Sequence, residues 1–115
     1  MKVGILGSGM VAQALGKGFA SRGHDVKLGS RRPGSKELAA WRTQVRGKAS
    51  TGTFAEAARH GELLVLATLG SAVDEVLELA GPQNFAAKVL IDVTNPLDHS
   101  AGGATGLFVG VTDSL

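Results

Sequence analysis

The apolar residues of this chain fall into short runs that alternate with stretches of helical spacing. The runs are bounded by glycine or by polar residues, as strands usually are. They predict five strands, at residues 2–6, 26–28, 49–51, 62–68 and 88–93. The fourth and fifth of these are apolar at every central position, which is typical of strands covered on both faces.

Between the strands, apolar residues recur at the spacing of a helix. Val11, Leu15 and Phe19 would share the buried face of a first helix, which Gly23 would end. Similar patterns predict three further helices, at about residues 35–46, 54–60 and 71–80. Serine is a common helix cap, so we expect Ser71 to begin the last of them.

This alternation predicts an α/β fold, a doubly wound parallel sheet of the Rossmann type with helices on both faces. We expect three layers and the strand order third, second, first, fourth, fifth, in a single domain spanning 1–115. No further helix follows the apolar residues 107–109. We therefore expect the fifth strand to be an exposed edge, which favours pairing with a second copy of the chain as a homodimer.

Composition excludes several classes of protein. The chain has no cysteine, which excludes a disulfide framework, a thiolate metal site and a cysteine nucleophile, and suits a reducing compartment. No apolar run approaches the roughly 18 residues of a membrane span. We therefore expect a cytoplasmic protein with no membrane partner. An apolar content of 43% supports a folded core.

Charge is divided unevenly along the chain. Residues 1–60 hold eleven Lys or Arg and three acids, whereas residues 61–115 hold one Lys and seven acids. The basic residues are scattered over several predicted elements, without aromatic residues between them. We therefore expect no nucleic-acid partner.

A glycine motif lies between the first strand and the first helix, from Gly7 to Ala12, with the sequence GSGMVA. In dinucleotide-binding proteins of this pattern, the first glycine allows a sharp turn. The second lets the backbone approach a pyrophosphate at the helix N-terminus. The alternative is that the glycines serve only a tight strand-to-helix junction, but the motif stands in the context that dinucleotide binding requires.

The residues after the second strand indicate which dinucleotide binds. An NAD site usually places Asp or Glu there to bind the ribose hydroxyls, but this chain has Ser30, Arg31 and Arg32. Two guanidinium groups and a hydroxyl suit the 2′-phosphate of NADP, so we expect NADP(H) rather than NAD(H). The alternative is an ordinary solvated charge pair. The missing acid also argues against a methyltransferase.

Two further turns would lie at the carboxyl edge of the sheet, where ligands bind in such folds. Residues 68–70 (TLG) follow the fourth strand, and residues 94–96 (TNP) follow the fifth. Thr68 and Asn95 would hydrogen-bond the ribose or the carboxamide of the nicotinamide half. Equally, they are residue types that cap a strand or a helix without any ligand.

No side chain is convincing as a catalytic group. His24 and His60 fall at a predicted turn and a predicted helix end, where structural roles are expected. His99 is the histidine nearest the presumed ligand edge, but nothing in the sequence orients it as a proton donor. No spacing typical of metal ligands occurs. The catalytic residues are therefore unknown, and we expect no metal.

Three segments together resemble the NADPH-dependent deazaflavin-coenzyme (F-420) reductases and related dinucleotide-binding oxidoreductases: 2–12 (KVGILGSGMVA), 29–31 (GSR) and 91–97 (IDVTNPL). The resemblance runs through essentially the whole chain. It implies a Rossmann domain that binds the pyrophosphate at residues 7–11 and the 2′-phosphate at Ser30 and Arg31, with Arg32 beside them as a further candidate. Family members typically continue into a C-terminal region that completes the acceptor site, which we expect this chain to lack. The turn at 95–97 resembles the wider relatives more closely, which leaves the acceptor open.

We therefore expect the NADP(H)-binding domain of an oxidoreductase that transfers hydride between nicotinamide and a deazaflavin, flavin or similar small-molecule acceptor. The alternative is a module that binds NADP(H) as a sensor or regulator, without chemistry. The predicted cofactor-binding residues are Gly7, Ser8, Gly9, Met10, Val11, Ser30, Arg31, Arg32, Thr68, Leu69, Asn95 and Pro96.

Overall fold

Strands and helices alternate along the chain, as the sequence predicts. The computed structural model describes residues 1–68 and 70–93, and the backbone of residues 110–114. The strands are β1 (Lys2–Leu6), β2 (Asp25–Gly29), β3 (Ala49–Gly52), β4 (Leu63–Leu66), β5 (Lys88–Asp92) and β6 (Gly110–Ser114). The helices are α1 (Met10–Ser21), α2 (Lys36–Gln44), α3 (Phe54–His60) and α4 (Val73–Ala80). Short 3-10 turns occupy Gly70–Ala72 and Pro82–Phe85.

The strands form one sheet in the order β3-β2-β1-β4-β5-β6. The first five are parallel, and their predicted order is confirmed. β6 adds an antiparallel strand beside β5, with Val111 opposite Ile91. The expectation of an exposed edge at β5 is therefore wrong. The sequence of β6, GVTDS, has a single apolar residue and so carries no pattern that predicts a strand. The homodimer stays a prediction, without this argument for it.

Two apolar layers pack on the two faces of the sheet, which confirms the three-layer architecture. Side chains of β1 alternate between them, as the pleat requires: Val3 and Ile5 lie in one layer and Leu6 in the other. The first layer contains the inner faces of α1 and α2, with Leu38 and Trp41 of α2. The second contains those of α3 and α4.

α1 meets the sheet with small residues, not with the large ones that the sequence pattern indicated. Its buried residues are Ala12, Gly16 and Ala20. The predicted residues Val11, Leu15 and Phe19 are partly exposed and pack at the flanks. The approach is close, because a Cβ on Gly16 would lie 2.8 Å from the ring of Trp41. The predicted face is therefore displaced by one position, since apolar spacing marks large residues and not the small ones that allow close packing.

Both ends of α3 are tied to neighbouring segments. At its start the Thr53 hydroxyl accepts from the Glu56 N–H (3.1 Å), and the Glu56 carboxylate accepts from the Thr53 N–H (2.9 Å). This last bond is the main cause that lowers the pKa of Glu56. At its end Lys88 Nζ donates to the Ala58 carbonyl at 2.5 Å, and desolvation lowers the pKa of Lys88. These bonds fix the position of Phe54, the first residue of the helix.

The start of α4 differs from the prediction. Ser71 lies in the 3-10 turn, and the N-cap position of α4 is Ala72, which makes no side-chain capping bond. The acidic side chains Asp74 and Glu75 occupy the first turn instead. They complement the positive end of the helix dipole, so this helix start is stabilised by charge and not by a cap. None of the helices in the described parts of the chain is long and apolar enough to cross a membrane.

A close contact between β1 and α3 predicts a large cost for adding one methyl group at Gly4. A Cβ there would overlap the backbone carbonyl of Ala57, and it would also approach Leu64. We expect Gly4→Ala to destabilise the domain by about 3 kcal/mol, because backbone must move to admit it. Calorimetry or urea unfolding measures this.

Gly18→Ala is the matched control for Gly4→Ala, since Gly18 lies in α1 with no atom within 4 Å of an added Cβ. It should raise stability slightly, by up to about 1 kcal/mol, as alanine does at an exposed helix position. Equal effects of the two changes would contradict the close contact between β1 and α3.

Candidate functional site

A cleft of about 1000 Å³ opens along the carboxyl edge of the parallel strands. Residues that directly follow β1, β2, β4 and β5 line it, together with residues in the first turns of α1, α2, α3 and α4. This is the edge at which doubly wound sheets bind their ligands. The lining residues are Gly7, Ser8, Gly9, Met10, Val11, Ser30, Arg31, Arg32, Ser35, Glu37, Phe54, Ala67, Thr68, Ala72, Val76 and Val93.

The turn after β1 is held against both neighbouring strands. The Gly7 N–H donates to the Gly29 carbonyl at the end of β2 (3.0 Å), and Ala67 after β4 donates to Leu6 (3.0 Å). Gly7 has φ +147°, and a Cβ there would overlap the Ala67 carbonyl. Only glycine fits this position, so the first glycine of the motif acts as the sequence predicts.

The second glycine of the motif leaves the start of α1 open to the cleft. Gly9 is the N-cap residue of α1, with φ −77°, and no atom lies within 4 Å of a Cβ built on it. No side chain caps the first amides of the helix. A helix start with free N–H groups and an unobstructed approach is suited to bind an anionic group.

Gln13 braces the glycine turn, a role that the sequence did not indicate. Its Nε2 donates to the Ser8 carbonyl (2.8 Å) and to the Glu37 carboxylate (3.2 Å). The main-chain carbonyl of Gln13 accepts a hydrogen bond from the indole N–H of Trp41 (2.9 Å). The turn is therefore linked through one side chain to α2. No spacing rule could reveal this, because the partners are 24 and 28 residues away.

Ser30 connects the glycine turn (residues 7–9) to the segment after β2 that carries Arg31 and Arg32, here called the basic segment (residues 30–32). It is 7% exposed and is the one buried polar residue in the described parts of the chain. Its N–H donates to the Gly52 carbonyl (2.9 Å), and its hydroxyl accepts from the Arg32 N–H (3.0 Å). The Ser8 hydroxyl lies 3.2 Å from the same oxygen. The glycine turn and the basic segment, both predicted as binding segments, therefore meet at the Ser30 hydroxyl, which these hydrogen bonds hold in place.

The two arginines of the basic segment lie at the rim of the cleft. Arg31 and Arg32 are both exposed. Arg31 reaches α4, where its Nη2 lies 2.6 Å from the Glu75 carboxylate. Glu37, in the first turn of α2, also lines the cleft. The Arg31–Glu75 pair is exposed, and an exposed ion pair contributes about 0–1 kcal/mol.

The remaining predicted residues are divided between the cleft and the parts of the chain that are not described. Thr68 lines the cleft beside Ala67. Leu69, Asn95, Pro96 and His99 lie outside the described residues.

His60 pairs with Asp25 (3.4 Å), the first residue of β2, at the other end of the strands. His60 is the last residue of α3, which is the position that the sequence indicates. No cluster of metal-binding side chains occurs among the described residues.

One wall of the cleft is apolar and was not predicted. Phe54 at the start of α3 lines it together with Ala72, Val76 and Val93. Met10, which the sequence did place in the site, is 87% exposed at the cleft. An apolar wall opposite an open helix start is suited to a ligand with both aromatic rings and anionic groups. Sequence alone marks these as ordinary core positions.

Comparisons with known proteins agree with this geometry. The family model described as NADP oxidoreductase, coenzyme F420-dependent, matches residues 2–96. A solved structure, a candidate F420-dependent NADP-reductase from Arthrobacter sp. FB24, is 34% identical with a TM-score of 0.78. The match covers 93% of this chain and 50% of that one, so this chain spans about half its length. No curated protein gives a significant match.

Proposed function

Because this chain belongs to the family of coenzyme F420-dependent NADP oxidoreductases, we propose that it holds NADP(H) in the cleft and presents the nicotinamide to an acceptor. One observation carries the proposal. The open start of α1 at Gly9 and the basic segment at Ser30 line a single cleft, linked through the Ser8 and Ser30 hydroxyls. NADP requires two anion sites, one for the pyrophosphate and one for the 2′-phosphate, and this arrangement supports the assignment of these two groups to them.

The residues of the cleft fit the parts of the dinucleotide. The free amides at the start of α1 would bind the pyrophosphate, since the space at Gly9 admits it. Arg31 and Arg32 would bind the 2′-phosphate, with the backbone of Arg32 already held by Ser30. Phe54, Ala72 and Val76 would pack against the adenine ring. We place the nicotinamide half towards Thr68. This residue follows β4, whereas the basic segment follows β2, and β1 lies between these two strands in the sheet.

The role that we assign to this site is to position the nicotinamide ring relative to the acceptor. The bound nicotinamide supplies the hydride, and the acceptor is a deazaflavin, a flavin or a similar flat ring system. Transfer between two such rings depends on their distance and orientation, and it needs no acid or base from the protein. The chain's own residues hold the dinucleotide at its phosphates and leave the nicotinamide half at the open edge of the sheet.

The second candidate function is binding of NADP(H) without turnover, as a sensor or regulatory module. The cleft favours this candidate in one respect. Among the residues that the structure describes, the side chains that both line the cleft and ionise are Arg31, Arg32 and Glu37. These are groups for binding and orientation, and they serve a sensor as well as they serve a hydride-transfer enzyme.

Two measurements test the proposal. Titration calorimetry should show NADPH binding with clear preference over NADH. Steady-state oxidation of NADPH should then be followed with deazaflavin, flavin and ferric acceptors. Turnover with the deazaflavin or the flavin supports the oxidoreductase, whereas tight NADPH binding with no oxidation of any acceptor supports the sensor. A parent protein that binds neither dinucleotide would overturn both.

A further inference from the structure

One ion pair joins a residue that lines the cleft to α4. Arg31 follows β2 and lines the cleft, and Glu75 lies in the first turn of α4. Their side chains meet at 2.6 Å between Nη2 and Oε2, and both are more than half exposed. Val76 lies in α4 with Glu75, and Ala72 directly precedes this helix. Both line the cleft.

This pairing conflicts with the role proposed for Arg31. A 2′-phosphate carries up to two negative charges and binds arginine through the same N–H groups that a carboxylate uses. A phosphate placed on Arg31 while Glu75 stays in contact would also be repelled by the carboxylate. NADP(H) binding therefore requires the guanidinium to leave Glu75, at least in part.

We propose that Glu75 is a specificity-determining residue that competes with the 2′-phosphate for Arg31. This inference rests on the proposed function. In the free protein the carboxylate holds the guanidinium over the cleft. On binding of NADP(H) the phosphate replaces it. Glu75 thereby lowers the affinity for dinucleotides that carry a 2′-phosphate, while a dinucleotide without one gains nothing from displacing it.

The remainder of the phosphate site does not depend on Glu75. The backbone of Arg32 is held by the Ser30 hydroxyl at 3.0 Å, and Ser30 is bonded to Gly52 on the neighbouring strand. Removing the Glu75 carboxylate therefore frees one guanidinium and leaves the rest of the site in place. An exposed ion pair of about 0.2–1 kcal/mol corresponds to a change in affinity of up to about fivefold.

The test is the substitution Glu75→Gln, which keeps the shape and removes the charge. We expect NADPH and adenosine 2′,5′-bisphosphate to bind about two- to fivefold more tightly at about 0.1 M salt, where exposed pairs are only partly screened. The affinity for NADH should stay the same. In an Arg31→Met background, Glu75→Gln should raise the affinity for NADPH less than it does with Arg31 present, because only the repulsion between carboxylate and phosphate is then removed. Titration calorimetry measures the affinity of Glu75→Gln for each of the three ligands and the affinity of the double variant for NADPH.

Asp74→Asn is the matched control, because Asp74 is an exposed acid in the same turn of α4, with no ion pair in the described parts of the chain. It removes the same charge near the same helix start, so it reports the general electrostatic effect and any loss of helix stability. We expect it to change NADPH affinity less than Glu75→Gln does.

Three results would overturn the inference. Weaker binding of NADPH to Glu75→Gln would show that Glu75 positions Arg31 for the phosphate. Equal gains for NADPH and NADH, or an equal effect of Asp74→Asn, would show a general charge effect. These outcomes are distinguishable from failure of the proposed function, which would appear in the parent protein as the absence of a preference for NADPH.

Discussion

Replacing Arg31 by glutamate is expected to weaken NADPH binding at least about 30-fold and NADH binding less than about threefold. A charge-assisted hydrogen bond contributes about 1.5–3 kcal/mol, which is a factor of roughly 10 to 150 in affinity. Reversal of the charge adds repulsion between the new carboxylate and the 2′-phosphate, with Glu75 only 2.6 Å from the present guanidinium. NADH has no group at that position. Competition titrations with both dinucleotides measure the ratio.

Arg46→Glu is the control for this charge reversal, because Arg46 is exposed, lies outside the cleft and makes no ion pair among the described residues. It changes the net charge equally and should leave both affinities nearly unchanged. If Arg31→Glu weakened NADPH and NADH equally, the assignment of the 2′-phosphate to this segment would be wrong.

The second large effect is expected at the first glycine of the motif. Gly7→Ala should destabilise the domain by about 3 kcal/mol or more, because an added Cβ would overlap the Ala67 carbonyl at a backbone φ of +147°. A loss of that size lowers Tm by more than about 10 °C in a domain of this size. NADPH binding should be lost with it, since the turn carries the amides at the start of α1.

Gly9→Ala separates stability from binding within the same motif. A Cβ at Gly9 meets no atom within 4 Å, and its φ of −77° suits any residue. Tm should therefore change by less than about 3 °C. NADPH affinity should fall about tenfold, because the methyl group enters the space that the pyrophosphate needs. Thermal unfolding with and without NADPH measures both effects. Equal losses of Tm in the two variants would contradict the different roles of the two glycines.

The fold was predictable because its signals are local. Apolar runs placed all five parallel strands, and the bounds of β1 and α3 agree with the predicted ones. The strand order followed from alternation with right-handed crossovers. The errors occur where the local signal is weak or misleading. α1 buries its small residues, Ser71 does not cap α4, and β6 has one apolar residue to mark it.

The candidate site was predictable where the glycine motif or a position directly after a strand marks it, since residues 7–11, Ser30, Arg31, Arg32 and Thr68 all line the cleft. Gly7 and Gly9 could be placed from the spacing of the motif, since a sharp turn and an open helix start each require glycine. Gln13, Phe54 and Glu75 could not be placed. The partners of Gln13 on α2 and the partner of Glu75 are distant in sequence. Phe54 has the pattern of an ordinary core residue.

The sequence by itself determined the five parallel strands, their order and the glycine turn, because hydrophobic spacing and glycine conformation act over a few residues. Only the tertiary structure decided how the site is assembled. It placed the Ser8 hydroxyl 3.2 Å from Ser30, and Glu75 2.6 Å from Arg31. The physical reason is that hydrogen bonds and ion pairs depend on distances in space. Those distances are set by how the crossovers pack on the sheet, which no local pattern of residues encodes.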